Sequence, residues 1–143
     1  MIEKVVLDSN ALIQIMGAHS KYNVLWKRFM ERRFILCISN EIKMEYEEML
    51  KQKSSPLVAD MFIKMLSLAP NVLHKEPYYQ YRLVEQDLDD NKFVDCAIAA
   101  NASYIVTDDR HFDILENIPF PSIDICTLEM FYMRYASITP PQC

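Results

Sequence analysis

Residues 5–12, VVLDSNAL, place three apolar residues directly before an acidic one near the start of the chain. Similar short runs, dominated by apolar residues, recur at residues 34–38, 104–106 and 123–125. Runs of this length without extended polar alternation are typical of strands buried on both faces of a parallel sheet. The four runs therefore predict the strands of a central parallel sheet.

Helical patterns fill the segments between these runs. Ser39 is a candidate N-cap for a helix ending near Leu50, and Pro56 suits the first turn of a helix over 56–69. The apolar stripe of that second helix is Leu57, Met61, Met65 and Leu68. Further helices are predicted at 9–17, 21–32, 90–102, 110–117 and 127–135, and residues 77–84 are predicted to be an edge strand or a loop. Alternating strands and helices predict an α/β fold, with one domain over residues 1–143 and a loose tail at 136–143.

Glycine is nearly absent, because Gly17 is the only one among 143 residues. A P-loop, a GxGxxG dinucleotide turn and a GxSxG nucleophile elbow all require more glycines, so these classes are excluded. The formal net charge is −5, yet the charges are uneven along the chain. Residues 21–33 are mainly basic, whereas residues 85–95 contain five acidic side chains and one lysine. This distribution suits a site that binds cations first and a polyanion afterwards.

The cysteines and the N-terminus indicate a cytoplasmic protein. Cys37, Cys96 and Cys126 lie in apolar stretches, and none of the four cysteines forms a CxxC pair. We therefore expect buried free thiols, which fit a reducing compartment. No signal-peptide layout and no apolar run long enough to span a membrane are present in the sequence, so no membrane association is expected.

Acidic residues follow two of the predicted strands. Asp8 follows the first, and Asp108 and Asp109 follow the strand at 104–106. Ligands of open parallel sheets bind at the carboxyl ends of the strands, so these groups are expected to face one crevice. Glu45 and either Asp90 or Asp95, from the predicted helices, are candidates to join them. Such a cluster is self-repelling without cations, and Mg²⁺ and Mn²⁺ prefer oxygen ligands, so a metal site is predicted.

Each acidic residue also has a local structural interpretation. Asp8 is a candidate N-cap for the following helix, and Glu45 is compatible with a solvated helix face. Residues 87–90 and 107–109 are compatible with turns that cap the segments after them. The functional hypothesis therefore depends on the order and combination of the acids.

Four motifs together resemble the PIN-domain family, and within it the VapC-like toxin ribonucleases. They are VVLDSNAL at 5–12, ISNEIKMEY at 38–46, DDNKFVDCA at 89–97 and YIVTDDRHF at 104–112. The resemblance runs from residue 4 to about residue 130. It implies a three-layer α/β/α fold with a central parallel sheet, and cleavage of single-stranded RNA with Mg²⁺ or Mn²⁺.

The resemblance also assigns roles to individual residues. It implies four catalytic, metal-binding acids: Asp8, Glu45, Asp90 and Asp109. Asp95 and Asp108 are additional candidate metal ligands. The resemblance favours Asp90 over Asp95, because Asp90 lies 19 positions before Asp109, which is nearer the usual gap in the family. Asn10 and Thr107 are expected to support the acids through hydrogen bonds. Candidate substrate contacts are Arg110, His111, Arg32 and Arg33, with Lys21, Lys27 and Arg28 as further candidates for phosphate contacts.

The implied partners are RNA, a small antitoxin protein and a second copy of the chain. Two alternatives to a ribonuclease remain at this point. One is a degenerate PIN fold that binds RNA or protein without catalysis. The other is a haloacid-dehalogenase-like phosphatase, in which Asn10 would stand where that chemistry needs a general acid.

Overall fold

A computed structural model describes residues 2–137 and contains a five-stranded parallel sheet. The strands are β1 (Lys4–Leu7), β2 (Ile35–Ile38), β3 (Val72–His74), β4 (Tyr104–Val106) and β5 (Ile125–Cys126), in the spatial order β3-β2-β1-β4-β5. All four neighbouring pairs are parallel. Helices flank this sheet, which confirms the predicted α/β/α architecture.

The helices begin where the sequence offers caps. They are α1 (Ser9–Met16), α2 (Asn23–Met30), α3 (Asn40–Lys53), α4 (Pro56–Leu68), α5 (Asn91–Ala100) and α6 (Leu128–Tyr135). The Asp8 carboxylate accepts a hydrogen bond from the Ala11 N–H, and the Ser39 hydroxyl accepts one from the Ile42 N–H. These bonds satisfy backbone donors that a helix start leaves without partners. Residues Leu88–Asp90 and Arg110–Asn117 form 3₁₀ turns rather than α-helices.

The core lies on both faces of the sheet and fixes the end of β1. Val5, Val6 and Ile105 are fully buried in the central strands. The Tyr46 side chain of α3 is also fully buried, and its hydroxyl donates to the Leu7 carbonyl at 2.5 Å. Because Leu7 immediately precedes Asp8, this bond holds α3 against the functional end of β1.

Two predictions about the elements were incomplete or wrong. The strand β3 was not predicted. Residues 77–84 form a loop, which is one of the two alternatives predicted for them. Three of the four residues of the predicted stripe on α4, Leu57, Met61 and Leu68, are more than half exposed, whereas Met65 is partly buried against the core. The buried face of α4 consists instead of Ala59, Phe62 and Leu66. The predicted tail begins at 136, and most of it, 138–143, lies outside the described residues.

Candidate functional site

A cleft of about 260 Å³ opens at the carboxyl ends of β1 and β4. Five acids line it: the four predicted ones, Asp8, Glu45, Asp90 and Asp109, and the exposed Glu48 of α3. The four predicted acids come from four places in the fold: the end of β1, the middle of α3, the start of α5 and the segment after β4. The parallel pairing of β1 with β4 brings the first and last acids to one edge of the sheet, where the Asp8 N–H bonds the Val106 carbonyl at 3.1 Å.

Asp8 is a buried carboxylate at the bottom of this cleft, with 6% of its surface exposed. One oxygen accepts from the Ala11 N–H at 2.7 Å, and the other accepts a short hydrogen bond from the Thr107 hydroxyl. Burial raises the pKa of Asp8, against the lowering effect of these two bonds, and the nearby Asp108 and Asp109 carboxylates raise it further. Asp8 therefore caps α1, as its local interpretation predicts, and its side chain also lines the acidic cleft.

Thr107 connects the first acid to the last. Its hydroxyl donates to Asp8 and accepts from the Asp109 N–H at 3.0 Å. The structure thus places Thr107 in contact with both carboxyl-bearing segments, the geometry that a supporting residue needs. Asn10 also lines the cleft, from the first turn of α1, with an exposed side chain.

Glu45 has two polar partners that sequence analysis did not assign to the site. Its Oε1 lies 2.6 Å from the Lys92 Nζ, and its Oε2 accepts a short hydrogen bond from the Ser9 hydroxyl. The signal for Lys92 was present in the sequence, because it is the one lysine within the acidic run at 85–95. Ser9 gave no comparable signal, since a serine at the start of a helix is most often a local cap.

Asp90 stands at the N-terminus of α5 but makes no capping hydrogen bond with its side chain. Its Oδ2 lies 3.5 Å from the His111 Nδ1, which is also 3.4 Å from the Asp109 Oδ1. Both the Asp90 Oδ2 and the His111 Nδ1 are buried and have no hydrogen-bond partner among the described residues. Burial, together with Asp87 and Asp109, raises the pKa of Asp90 to about 6.

These residues fit a hard divalent cation. Asp87, Asp90 and His111 each offer a ligand atom within 4.8 Å of the others. The two buried atoms without partners, the Asp90 Oδ2 and the His111 Nδ1, belong to this group. Buried polar atoms are normally paired, and a cation on the carboxylate oxygen is one way to satisfy it. The histidine expected to contact substrate thus faces the acids, while Arg110 beside it is exposed.

Two acids named as additional ligands are used elsewhere in the structure. The Asp95 carboxylate accepts from the Tyr81 N–H at 3.2 Å and lines a different cavity. The Asp108 Oδ1 accepts from the Leu128 N–H at 2.9 Å, at the start of α6. Asp108 also borders a groove beside the cleft, together with Asp8 and Asp109. Of the alternatives Asp90 and Asp95, it is Asp90 that lies with the other three acids.

The structure does not bring the basic segment to this cleft. Arg32 and Arg33 precede β2 and therefore lie at the amino edge of the sheet, whereas the acids lie at the carboxyl edge. The Arg33 Nε is 3.6 Å from Glu31, and Arg28 is buried and donates to the carbonyls of Tyr135 and Ala136. Lys21 forms an ion pair with Glu129 at 2.7 Å. Arg28 is thus a structural residue and not an available phosphate contact.

Comparison with known families identifies this architecture. The family model described as "PIN domain" matches residues 4–111, which include all four acids of the cleft. The chain belongs to the PIN-domain family. A comparison with curated proteins gave no significant sequence match. With the PIN family assigned, the phosphatase alternative has no support.

Solved structures with a similar fold include VapC and VapBC proteins. VapBC2 from Rickettsia felis, bound to a DNA fragment from its promoter, aligns with a TM-score of 0.60 and 15% identity over 87% of this chain and 98% of that one. VapBC-1 from nontypeable Haemophilus influenzae gives a TM-score of 0.59 and 17% identity over 88% and 98%. VapC20 from Mycobacterium tuberculosis, a toxin that cleaves the sarcin-ricin loop, gives 0.53 and 12% over 76% and 92%. At these identities the likeness concerns the fold.

Proposed function

We propose that this PIN domain is an endoribonuclease that cleaves single-stranded RNA with Mg²⁺ or Mn²⁺. The observation that carries the proposal is the convergence of Asp8, Glu45, Asp90 and Asp109 on one cleft. Within residues 2–137, only Glu45 of these four is ion-paired with a lysine or arginine. An uncompensated cluster of this kind destabilises the protein unless cations neutralise it, so its presence supports a metal-dependent activity.

The four acids would hold the metal, with Asp87 and His111 beside Asp90 as further ligand groups, and neighbouring side chains would orient them. A bound Mg²⁺ or Mn²⁺ supplies Lewis-acid activation of water and neutralises charge on the phosphate. Thr107 fixes the orientation of Asp8, and Ser9 fixes that of Glu45, through the hydrogen bonds described above. Lys92 and the exposed Arg110 supply positive charge near the cleft for the RNA backbone. Asn10 lines the cleft and Asp108 borders the groove beside it, so both would make weaker supporting contacts, whereas Asp95 lies in a separate cavity.

The first test is cleavage of a labelled single-stranded RNA with Mn²⁺, Mg²⁺ or EDTA. We expect wild-type cleavage that requires metal and is lost in Asp8→Asn. Asparagine is as good an N-cap as aspartate, so this variant keeps the start of α1 and is at least as stable as the wild type in EDTA. The matched control is Asp60→Asn, an exposed aspartate of α4 that pairs with Lys64 at 3.0 Å. Full activity in Asp8→Asn would refute the assignment of this site.

An inactive wild type would favour the alternative of a PIN fold that binds without catalysis. A calorimetric titration with Mn²⁺ then distinguishes a nuclease that needs a more specific RNA from a PIN fold that binds without catalysis. Binding that disappears in Asp8→Asn would retain the metal site and direct attention to a more specific RNA substrate. No binding at millimolar Mn²⁺ would leave a binding module.

We further propose that this chain is the toxin of a toxin–antitoxin pair and that a small antitoxin protein binds it. We also propose that it forms homodimers and that it acts in the cytoplasm. Two of the structural neighbours described above are toxin–antitoxin complexes, named VapBC. The exposed residues Leu57, Met61 and Leu68 of α4 offer apolar surface for a partner.

Cys37, Cys96 and Cys126 are free and buried, which fits a reducing compartment. None of the described helices is long and apolar enough to cross a membrane. Light scattering of the purified chain tests the homodimer.

A further inference from the structure

A second cavity lies beside the acidic cleft, and the proposed catalysis does not use it. It has a volume of about 320 Å³ and lies between residues 76–88 and the first turns of α3 and α5. We call it the loop cavity. Its charged side chains are Glu41, Glu76, Arg82, Lys92 and Asp95. The start of α5 separates the two spaces, since Asp90 and Phe93 line the cleft whereas Lys92 and Asp95 line the loop cavity.

Asp95 is the feature of the loop cavity that points to a ligand. Only 5% of its surface is exposed, and one carboxylate oxygen accepts from the Tyr81 N–H at 3.2 Å. No hydrogen bond to the second oxygen is found among the described residues. That oxygen has no partner within residues 2–137 and yet is not fully buried, so it meets the open space of the loop cavity, which Asp95 lines. The second oxygen is therefore available to a donor that enters the cavity.

The roof of the loop cavity is fixed by hydrogen bonds. The Asn91 side chain accepts from the Val84 N–H at 2.9 Å and donates to the Val84 carbonyl at 2.8 Å. Val84 itself is fully buried. Together with the bond between Tyr81 and Asp95, these contacts hold the loop in place, so the cavity is already formed without a ligand.

The side chains around the cavity offer both acceptors and donors. Glu41, Glu76 and Asp95 accept hydrogen bonds, whereas Arg82 and Lys92 donate them. Guanine is the nucleobase that matches both sets. Its N1–H and N2 amino group form two adjacent donors for a carboxylate, and its O6 and N7 form two acceptors for an arginine or lysine. Single-stranded RNA is commonly recognised through unstacked bases of this kind.

We propose that the loop cavity binds an unpaired guanine of the RNA whose scissile phosphate lies in the acidic cleft. This inference rests on the proposed ribonuclease function. Lys92 connects the two spaces, because it lines the loop cavity and its Nζ lies 2.6 Å from Glu45 of the cleft. Tyr78 and Tyr79 are 88% and 65% exposed on the same loop, and they offer stacking surfaces for the neighbouring bases.

The test uses a short oligouridylate that carries guanosine, inosine or adenosine at one position. We expect Mn²⁺-dependent cleavage at a fixed distance from the guanosine, and about tenfold lower kcat/KM for inosine, which lacks the N2 amino group. The Arg82→Gln variant should lose the preference for guanosine while its cleavage of plain oligouridylate is unchanged. Lys64→Gln, an exposed α4 control, should keep the preference. If Arg82→Gln lowers the melting temperature, Glu41→Gln on the first turn of α3 replaces it, with the same expected result.

A binding measurement separates failure of this inference from failure of the proposed function. Guanosine 5′-monophosphate should shift the ¹H–¹⁵N NMR signals of Tyr81, Val84 and Asp95 in the metal-free protein, more strongly than the inosine or adenosine nucleotide. Equal cleavage of the three oligonucleotides would overturn the guanine site and leave the nuclease intact. If the wild type cleaves no RNA, the ribonuclease proposal fails. The NMR titration alone then decides the guanine site, and the absence of selective shifts would overturn it.

Discussion

At the scale of single residues, Asp90 combines a helix-start position with a carboxylate that does not cap the helix. The neighbouring Asp87 caps the preceding turn by accepting from the Asp89 N–H at 3.1 Å. The Asp90 carboxylate therefore lies against His111 and Asp109 with one buried oxygen unpaired. The pKa of Asp90 is raised to about 6, because burial and the neighbouring carboxylates make its charged form unfavourable in the folded protein without a cation.

This cost predicts how Asp90→Asn changes stability with pH. A carboxyl whose pKa is raised on folding stabilises the native state most below its unfolded pKa, and that contribution is lost as the pH rises toward the folded value. The variant should therefore be more stable than the wild type at pH 7, by about 1–2 kcal/mol, and the difference should shrink between pH 6 and pH 4. Urea unfolding in EDTA measures this difference in stability.

The control is Asp113→Asn, which changes an exposed aspartate and should show no such trend with pH. A wild type that gains stability over Asp90→Asn as the pH rises from 4 to 6 would contradict the argument.

At the scale of elements, the segment between β3 and α5 has no strand or α-helix, and its position depends on Asn91. Both polar atoms of that side chain bond the backbone of Val84. Asn91→Ala should leave two buried backbone groups unpaired and lower stability by about 2 kcal/mol. Hydrogen exchange should rise at residues 77–87. Gln86→Ala, an exposed change in the same loop, should leave exchange unaltered. Unchanged exchange in Asn91→Ala would show that other contacts hold the loop.

The same elements show what sequence patterns can and cannot establish. The strands β1, β2 and β4 were predictable because each is a short apolar run followed by polar residues. The strand β3 was not, since its three residues lie at the sheet edge, where Val72 and Leu73 are only partly buried and His74 is exposed. The α4 stripe misled because the same helix carries a second apolar stripe of Ala59, Phe62 and Leu66, and tertiary packing buried that one. The position of Asp8 and Asp109 at one edge of the sheet was predictable from the parallel topology. The pairing of Glu45 with Lys92 was not, because the two residues are 47 positions apart in sequence and their contact depends on side-chain geometry.

At the scale of the whole molecule, Glu3 ties the first strand to the last helix at the edge opposite the acidic cleft. Its carboxylate accepts from the hydroxyls of Tyr104 and Tyr135 at 2.9 and 2.7 Å, and from Arg134 of α6 at 2.7–2.8 Å. Burial alone would raise the pKa of Glu3, but the bonds from Tyr135, Tyr104 and Arg134 outweigh it and lower the pKa. The pKa of Asp90 at the carboxyl edge of the sheet is thus raised, whereas the pKa of Glu3 at the amino edge is lowered. Acidification therefore stabilises the fold through Asp90 and destabilises it through Glu3.

Glu3→Gln tests this tie between the ends of the chain. A carboxyl whose pKa is lowered on folding stabilises the protein above its unfolded pKa, and this contribution is lost as the pH falls through the folded value. The variant should lose about 2 kcal/mol at pH 7, because several donors are left with a weaker acceptor or none, and the loss should diminish below pH 4.5. Thermal unfolding across this pH range measures the difference. Glu129→Gln, which removes an exposed acceptor of Lys21 and Tyr22, is the control and should change little, since exposed pairs contribute little. A loss in Glu3→Gln that stays constant down to pH 3 would mean that the amide fails through packing rather than charge.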